Sequence, residues 1–211
     1  MALDGIFLHN IWRELHQTLA QDARIDKIHQ PSREELVIAL RSRQGNRKLY
    51  LSARANSPRI HFTDRVPENP AAPPMFCMLL RKRLTGGRLV GLRQPGLERA
   101  LYLDFDCVNE LGDLTRLTLA VEIMGRHSNI ILVDADGTVL DAIKRVDWDM
   151  SSVRPILPGL PYAAPPLAAG RIDLSRDTPE DLLHAVQRGA DEAELGMVPA
   201  TPAEVGSVVD L

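Results

Sequence analysis

The chain has 211 residues, a formal net charge of −3 and a hydrophobic content of 45%. This apolar content excludes a wholly disordered chain, and the length suffices for one well-buried core with an appendage or for two small domains. The two cysteines, Cys77 and Cys107, are too few and too far apart for a disulfide framework or a zinc site, so each is expected to pack as a small hydrophobe.

An amino-terminal helix is predicted first. Asp4 can cap it, and its apolar residues recur at steps of three and four, which is the spacing of one buried helix face. These residues are Phe7, Leu8, Ile11, Trp12, Leu15 and Leu19. The polar residues between them, including His9 and His16, are expected to face solvent.

From Arg24 onward the apolar period changes to two, which predicts β-strands. Strands are expected near residues 24–30, 36–41, 48–51, 59–62, 88–94, 99–106, 115–124, 129–133 and 138–145, and a helix over 75–84 follows a proline-rich loop. Consecutive strands with tight turns predict an α+β fold, an antiparallel β-sandwich with flanking helices, as a domain over residues 1–166. The spaced prolines of residues 153–166 predict a linker.

Charge is unevenly distributed along the chain. Residues 170–211 carry nine acids and three arginines, a balance of −6, so residues 1–169 sum to +3. Helix starts at residues 178–181 and 201–204 predict that residues 167–211 form an acidic, partly helical segment, the start of a downstream domain in a longer protein. No signal peptide and no membrane-spanning stretch is recognised, so a cytoplasmic protein without a membrane partner is expected.

The most basic part of the chain is residues 74–99, in which six cations stand against the single acid Glu98. Sorted positive charge beside a glycine turn is typical of proteins that bind phosphate groups of nucleic acids. Arg81, Lys82 and Arg83 fall in the last turn of the predicted helix, where they either complement the helix dipole or contact RNA backbone phosphates.

Two further polar pairs are candidates for the same chemistry. Glu98 and Arg99 are either an exposed ion pair of little energetic value or two polar side chains, held at a strand edge, that recognise a nucleic acid. Arg126 and His127 are candidates for contacts to the RNA backbone, or they form a turn that is hydrogen-bonded within the protein. His127 as a general base needs an orienting acid, for which Asp104 and Asp106 are the candidates. No Walker, Rossmann or zinc pattern occurs, so no catalytic residue, cofactor or metal is expected.

Several long strings resemble, in order, the amino-terminal NFACT domain of the RqcH and NEMF family of ribosome quality-control proteins, historically labelled fibronectin-binding proteins. They are MALDGIFLHNI, KIHQP, KLYLSARANSPRIHFT, ENPAAPPMFCMLLRKRLTGG, GLER, NELGD and VEIMGRHSNIILVD, and the resemblance runs from Met1 to about residue 166. It implies a factor that binds obstructed large ribosomal subunits and alanyl-tRNA to support carboxy-terminal alanine tailing, a reaction whose chemistry belongs to the ribosome.

The resemblance also implies tRNA-binding residues, namely Asp4, Glu98 and Arg99. The family has an Asp at the position of Glu98, and the extra methylene lengthens the reach of the carboxylate. The family domain is similar to that of MutM-type DNA glycosylases, which suggests a glycosylase or DNA-binding alternative; these enzymes use an amino-terminal proline backed by a glutamate, and here Ala2 and Leu3 follow Met1. A fibronectin-binding surface adhesin is the third alternative.

Overall fold

The computed structural model describes residues 5–19, 22–151 and 153–166. Its described part contains two helices, nine strands and a 3₁₀ turn, Gly125–His127. The helices are α1 (Gly5–Leu19) and α2 (Met75–Leu84); the strands are β1 (Arg24–Ser32), β2 (Glu35–Ser42), β3 (Gly45–Ser52), β4 (Arg59–Phe62), β5 (Arg88–Arg93), β6 (Ala100–Val108), β7 (Leu114–Glu122), β8 (Asn129–Val133) and β9 (Val139–Ala142). No helix in these ranges is long and apolar enough to cross a bilayer.

All pairings between the described strands are antiparallel, in the order β4-β3-β2-β1-β5-β6-β7-β8-β9. The first four strands and the last five meet at one strand pair, Arg24 opposite Arg88, beside which the Ile25 amide donates to the Gly87 carbonyl and the Leu89 amide to the Ala23 carbonyl. The inward side chains of both halves nevertheless enter one core, for example Ile38 from the first half and Phe105 from the second. The α+β antiparallel fold expected from the sequence is therefore confirmed, as a sheet that folds over on itself.

The two helices cover this core. The stripe of α1 that packs inward contains Leu8, Leu15 and Leu19, all at most 1% exposed. Phe7 was expected in the same face, and that expectation is wrong, because its side chain is 53% exposed. It lies at the edge of the stripe, since one residue step rotates a side chain by about 100° around the helix axis. Helix α2 has the predicted bounds and lies against β1, β6 and β9.

The two cysteines are free and buried, as expected. Cys77 of α2 and Cys107 of β6 both belong to the main core. Burial raises the pKa of the Cys107 thiol to about 11. Both side chains act as packing groups rather than as reactive thiols.

The segment 153–166 was predicted to be a linker, and this is wrong. Val146 pairs with Ile156 and Thr138 with Pro161, so the segment lies along the outer face of the second half of the sheet. Ile156 joins a second, smaller core there, and Tyr162 packs against it. The prolines exclude a helix, but they permit an extended chain whose apolar side chains are buried.

The last strand is shorter than predicted, since β9 ends at Ala142 rather than near residue 145. The chain then turns across to the first half of the sheet, where Lys144 Nζ donates to the Ala53 carbonyl at 2.5 Å and lies 3.3 Å from Glu34 Oε1. The predicted helix starts at 178–181 and 201–204, like the rest of 167–211, lie outside the described residues.

Candidate nucleic-acid interface

The basic stretch of residues 74–99 does not form one surface. Arg81, Lys82 and Arg83 end helix α2 and precede the start of β5, whereas Glu98 and Arg99 follow its end. A six-residue strand is about 20 Å long. The stretch is therefore divided into two groups at opposite ends of β5.

At the first end, two of the three cations of α2 are already bound within the protein. Arg81 Nε donates to the Ile28 carbonyl at 2.8 Å, and Lys82 Nζ lies 2.7 Å from Glu110 Oε1. The hydrogen bond from Lys82 lowers the pKa of Glu110. The side chain of Arg83 is exposed and makes no ion pair or hydrogen bond with another described residue, although its charge also lowers the pKa of Glu110. It is the cation of this group that is available to a phosphate.

The two arginines of β5 are also paired. Arg93 makes a bidentate contact with Asp104 of β6, at 2.7 and 2.9 Å. Arg88 lies 3.4 Å from Asp106, which accepts a second hydrogen bond from Arg116 at 2.7 Å. The two acids of the neighbouring strand β6 thus offset the charge of this part of the stretch. The cations are close together in the sequence, and the pairing of β5 with β6 places Asp104 and Asp106 beside Arg93 and Arg88.

At the second end, Glu98 and Arg99 lie in the loop between β5 and β6. The Glu98 amide donates to the Pro95 carbonyl at 3.1 Å, which closes a tight turn, and Gly96 within it has a φ of 53°. Both side chains are half-buried. Neither makes an ion pair or a side-chain hydrogen bond with another residue of the described ranges, so the two are not an ion pair with each other.

Gln94 fixes this loop to helix α1. Its Nε2 donates to the carbonyl of Gly5 at 3.0 Å and to that of Glu98 at 2.9 Å. Because Nε2 is the donor, Oε1 is left to accept from His9 Nδ1 at 3.0 Å. One amide side chain therefore holds the helix start and the Glu98 backbone together.

The first turn of α1 lies directly against this loop. A Cβ atom at Gly5 would overlap the carbonyl oxygen of Leu97, the residue before Glu98. Only glycine permits so close an approach. Asp4, the third predicted tRNA-binding residue, lies outside the described residues, but its neighbour Gly5 is beside the loop that carries Glu98 and Arg99.

The Arg126–His127 corner is near the same loop. The Ile123 amide donates to the Arg99 carbonyl at 2.8 Å, one step beyond the pairing of Ala100 with Glu122. The 3₁₀ turn Gly125–His127 follows directly. Both side chains of the corner are exposed, and Arg126 Nε donates to His127 Nε2 at 3.0 Å.

The structure does not assemble the His127 dyad that the sequence left open. Asp104 is engaged by Arg93 and Thr118, and Asp106 by Arg116 and Arg88. His127 contacts Arg126 instead. The corner therefore presents an exposed cation and an imidazole to solvent.

Sequence reasoning did not assign three side chains to this end of the molecule. Trp12 was expected only as an apolar residue of the helix face, and His9 was expected to face solvent, whereas it is half-buried against Gln94. His9 and Trp12 of α1 are stacked with ring centroids 5.1 Å apart, and Trp12 Nε1 donates to the Leu92 carbonyl at 2.9 Å. Gln94 completes the set. The helical spacing of His9, Trp12 and His16 could have indicated a ring stack, but nothing in the linear sequence links Gln94 to α1.

The comparisons with known proteins agree with this architecture. Residues 4–196 match the pattern of the NFACT N-terminal and middle domains. The chain belongs to the NFACT family. Among curated relatives, it is 42% identical over 184 residues to the Rqc2 homolog RqcH of Bacillus subtilis, covering 87% of this chain and 32% of that protein. It is 43% identical over 167 residues to the Streptococcus pneumoniae protein of the same name, covering 79% and 30%.

Solved structures of the NFACT family are similar in fold. The N-terminal domain of the fibronectin-binding protein PavA from Streptococcus pneumoniae aligns with a TM-score of 0.80 and 40% identity, over 87% of this chain and 68% of that one. The fibrinogen-binding protein of Staphylococcus aureus aligns with a TM-score of 0.77 and 32% identity, over 87% and 64%. This NFACT chain spans about a third of the length of the curated relatives it matches.

Proposed function

We propose that this chain is the RNA-binding amino-terminal part of a cytoplasmic ribosome quality-control factor. In this role it binds tRNA, alanyl-tRNA by family resemblance, and obstructed large ribosomal subunits in support of alanine tailing. It contributes binding and orientation, without a catalytic residue or cofactor of its own, because peptide transfer is the chemistry of the ribosome. The names of its relatives support this role.

The observation that carries the proposal is the state of Glu98 and Arg99. Both are half-buried on a loop that Gln94 ties to α1, yet neither side chain has a partner among the described residues. A guanidinium offers a planar fork of donors to phosphate or to a base edge, and a carboxylate accepts from a base amino group or a ribose 2′-hydroxyl. A loop held by the Gln94 hydrogen bonds, with two polar side chains that have no partner among the described residues, suits specific RNA recognition.

The remaining candidates have a supporting role. Arg126 and His127 lie near the loop and are proposed to contact the RNA backbone on the same surface. At the other end of β5, Arg83 is proposed as a separate electrostatic contact. Arg81 and Lys82 are expected to contribute less, because each already has a partner within the protein.

The test is filter binding of alanyl-tRNA and of large ribosomal subunits to the complete protein. Arg99→Ala is expected to weaken tRNA binding at least tenfold, because a charge-assisted hydrogen bond contributes about 1.5–3 kcal/mol. Arg83→Ala removes the same residue type at the other end of β5, and it should weaken binding less than threefold and mainly reduce the salt dependence. Glu98→Asp, which restores the family residue, should retain binding.

Equal tRNA affinities of Arg99→Ala and the wild-type protein would remove Arg99 from the site. A loss of equal size in Arg83→Ala would show that binding depends on charge alone. Both results contradict a specific role for the loop.

Fibronectin binding is a second candidate function, which the similarity to the PavA domain favours. Surface plasmon resonance with immobilised fibronectin tests it directly. Saturable binding of the wild-type chain that Arg99→Ala leaves unchanged would support this function on a surface other than the Glu98–Arg99 loop.

A further inference from the structure

A second cationic surface lies on the first half of the sheet, on strands other than the two that flank the Glu98–Arg99 loop. Strand register places Lys27 of β1 and Lys48 of β3 on either side of Ala39 of β2. In the next row, Val37 lies between His29 and Tyr50. Val37 and Tyr50 are absent from the main core, which Leu36 and Leu49 enter, so these two rows form the outer face.

This face forms the floor of a cavity of about 430 Å³. Val37 and Ala39 provide an apolar floor, Val66 of the following loop closes one side, and Lys27, Arg47 and Lys48 stand at the rim. Lys27 and Lys48 are two strand spacings apart, or about 10 Å. The volume falls in the range of small-ligand pockets, which are mostly apolar with a few convergent polar groups.

The rim cations differ from the arginines of β5 because they form no ion pair with another described residue. Lys27, Arg47 and Lys48 are exposed and make no ion pair or side-chain hydrogen bond with another residue in the described ranges. Burial, followed by the charges of Arg81, Lys27 and Lys48, lowers the pKa of His29, which lines the same cavity. None of the three rim cations is therefore neutralised by a direct ion pair with a described carboxylate.

The charge balance limits the ligand. Two carboxylates, those of Asp26 and Asp64, also line the cavity and lack ion pairs with described residues. Three cations and two acids leave a net charge of +1, with His29 neutral. A net charge of +1 suits one phosphate group rather than a triphosphate. The carboxylates of Asp26 and Asp64 can accept hydrogen bonds from ribose hydroxyls or from a base amino group. The apolar floor suits the face of a base.

We propose that this cavity binds a nucleoside monophosphate unit, either one nucleotide of an RNA strand or a free mononucleotide. The phosphate lies between Lys27 and Lys48, and the base lies over the half-buried Ala39, next to the buried side chain of Val37. If the nucleotide belongs to an RNA strand, the site rests on the proposed function and adds to it a further RNA contact, on the first half of the sheet.

The test uses the full 211-residue chain with two probes. Adenosine 5′-monophosphate is titrated by calorimetry, and a fluorescein-labelled ten-nucleotide oligouridylate by fluorescence anisotropy. The double variant Lys27→Gln/Lys48→Gln is expected to bind at least tenfold more weakly than the wild type. The matched control Arg13→Gln/Arg33→Gln removes two exposed cations elsewhere and should change binding less than threefold.

A second variant, Ala39→Leu, fills the floor without changing the charge. It is expected to weaken binding to a similar extent, whereas a purely electrostatic patch would be unaffected. Binding of both probes by the wild type identifies a site open to free nucleotides, and binding of the oligonucleotide alone identifies an RNA contact. Binding of neither probe, or equal binding by the double variant and the wild type, overturns the proposal.

Arg99→Ala separates this inference from the proposed function. If the Arg99→Ala variant loses tRNA binding but still binds adenosine 5′-monophosphate, both the proposed function and the nucleotide site are supported. If the double variant loses the mononucleotide while Arg99→Ala binds tRNA normally, the cavity stands and the role of the Glu98–Arg99 loop does not.

Discussion

Among single residues, Glu122 is a fully buried carboxylate that needs several hydrogen-bond partners. Its side chain is fully buried at the end of β7, where Arg154 donates from both terminal nitrogens, at 2.5 and 3.0 Å, and the Tyr162 hydroxyl donates at 2.8 Å. Arg154 also donates from Nε to the Ala163 carbonyl at 2.7 Å. This one carboxylate therefore fastens the segment 153–166 to the sheet, because the buried charge requires all of these partners.

Glu122→Gln should destabilise the protein by about 3–5 kcal/mol, since it leaves the charge of Arg154 uncompensated at a largely buried site. Urea unfolding followed by circular dichroism measures the change. Glu110→Gln, which breaks the exposed pair with Lys82, is the matched control and should leave the unfolding midpoint nearly unchanged. Similar midpoints for the two variants would contradict the fastening role of Glu122.

At the scale of elements, the contact between α1 and the β5–β6 loop determines the candidate RNA surface. Trp12 and Gln94 each bridge the helix to this region, by bonds to Leu92 and Gly5. Leu97 approaches Gly5 so closely that no Cβ fits between them. The orientation of Glu98 and Arg99 thus depends on how α1 is seated.

Gly5→Ala is expected to destabilise the protein by about 1–3 kcal/mol, because the added methyl forces α1 and the loop apart. It should also weaken tRNA binding by the complete protein. Urea unfolding and filter binding measure the two effects. Asn10→Ala, at an exposed position of the same helix, raises helix propensity and should be neutral or slightly stabilising; an unchanged or higher stability of Gly5→Ala would contradict the close contact.

At the scale of the whole molecule, charge is organised by tertiary pairing rather than by sequence position. The arginines of β5 are matched by carboxylates of β6, whereas Arg83, Arg99 and the cations around the outer cavity of β1–β3 have no ion pair with another described residue. The hydrogen bond from Arg116, assisted by its charge and by Arg88, holds the pKa of Asp106 below its ordinary value of 3.8. Ionised Asp106 consequently stabilises the fold above this value.

The stabilisation by Asp106 should be present above pH 3.8 and lost as the pH falls below it, through the lowered pKa of the folded state. Asp106→Asn is expected to be less stable than the wild type by about 1 kcal/mol at most at neutral pH, and this difference should vanish in acid. Urea unfolding between pH 2.5 and about pH 7 at constant ionic strength measures it. Asp136→Asn, in an exposed turn, should follow the wild type; a difference for Asp106→Asn that persists in acid would contradict the linkage.

The sequence by itself determined the local structure and the family. Apolar periods of 3.6 and 2 predicted α1 and the strands, because each period places one face of an element toward the core. The prolines before residue 75 and the glycines at 86 and 87 predicted the ends of α2. The strings around residues 68–87 and 121–134 by themselves indicated the NFACT family. These signals are local, so they are readable along the chain. The misplaced Phe7 and the packed segment 153–166 show where a local pattern fails, since burial of Tyr162 depends on a sheet formed far away in sequence.

Only the tertiary structure decided which charges are free. Arg88 and Arg93 look identical in the sequence to Arg83 and Arg99, but Asp104 and Asp106 reach the first two through strand pairing across 11 to 18 residues. Gly5 and Gln94, 89 residues apart, meet only when α1 packs. Likewise Lys27 and Lys48 face one cavity because β2 lies between them. Register and packing between distant segments set these contacts, and no linear pattern encodes them.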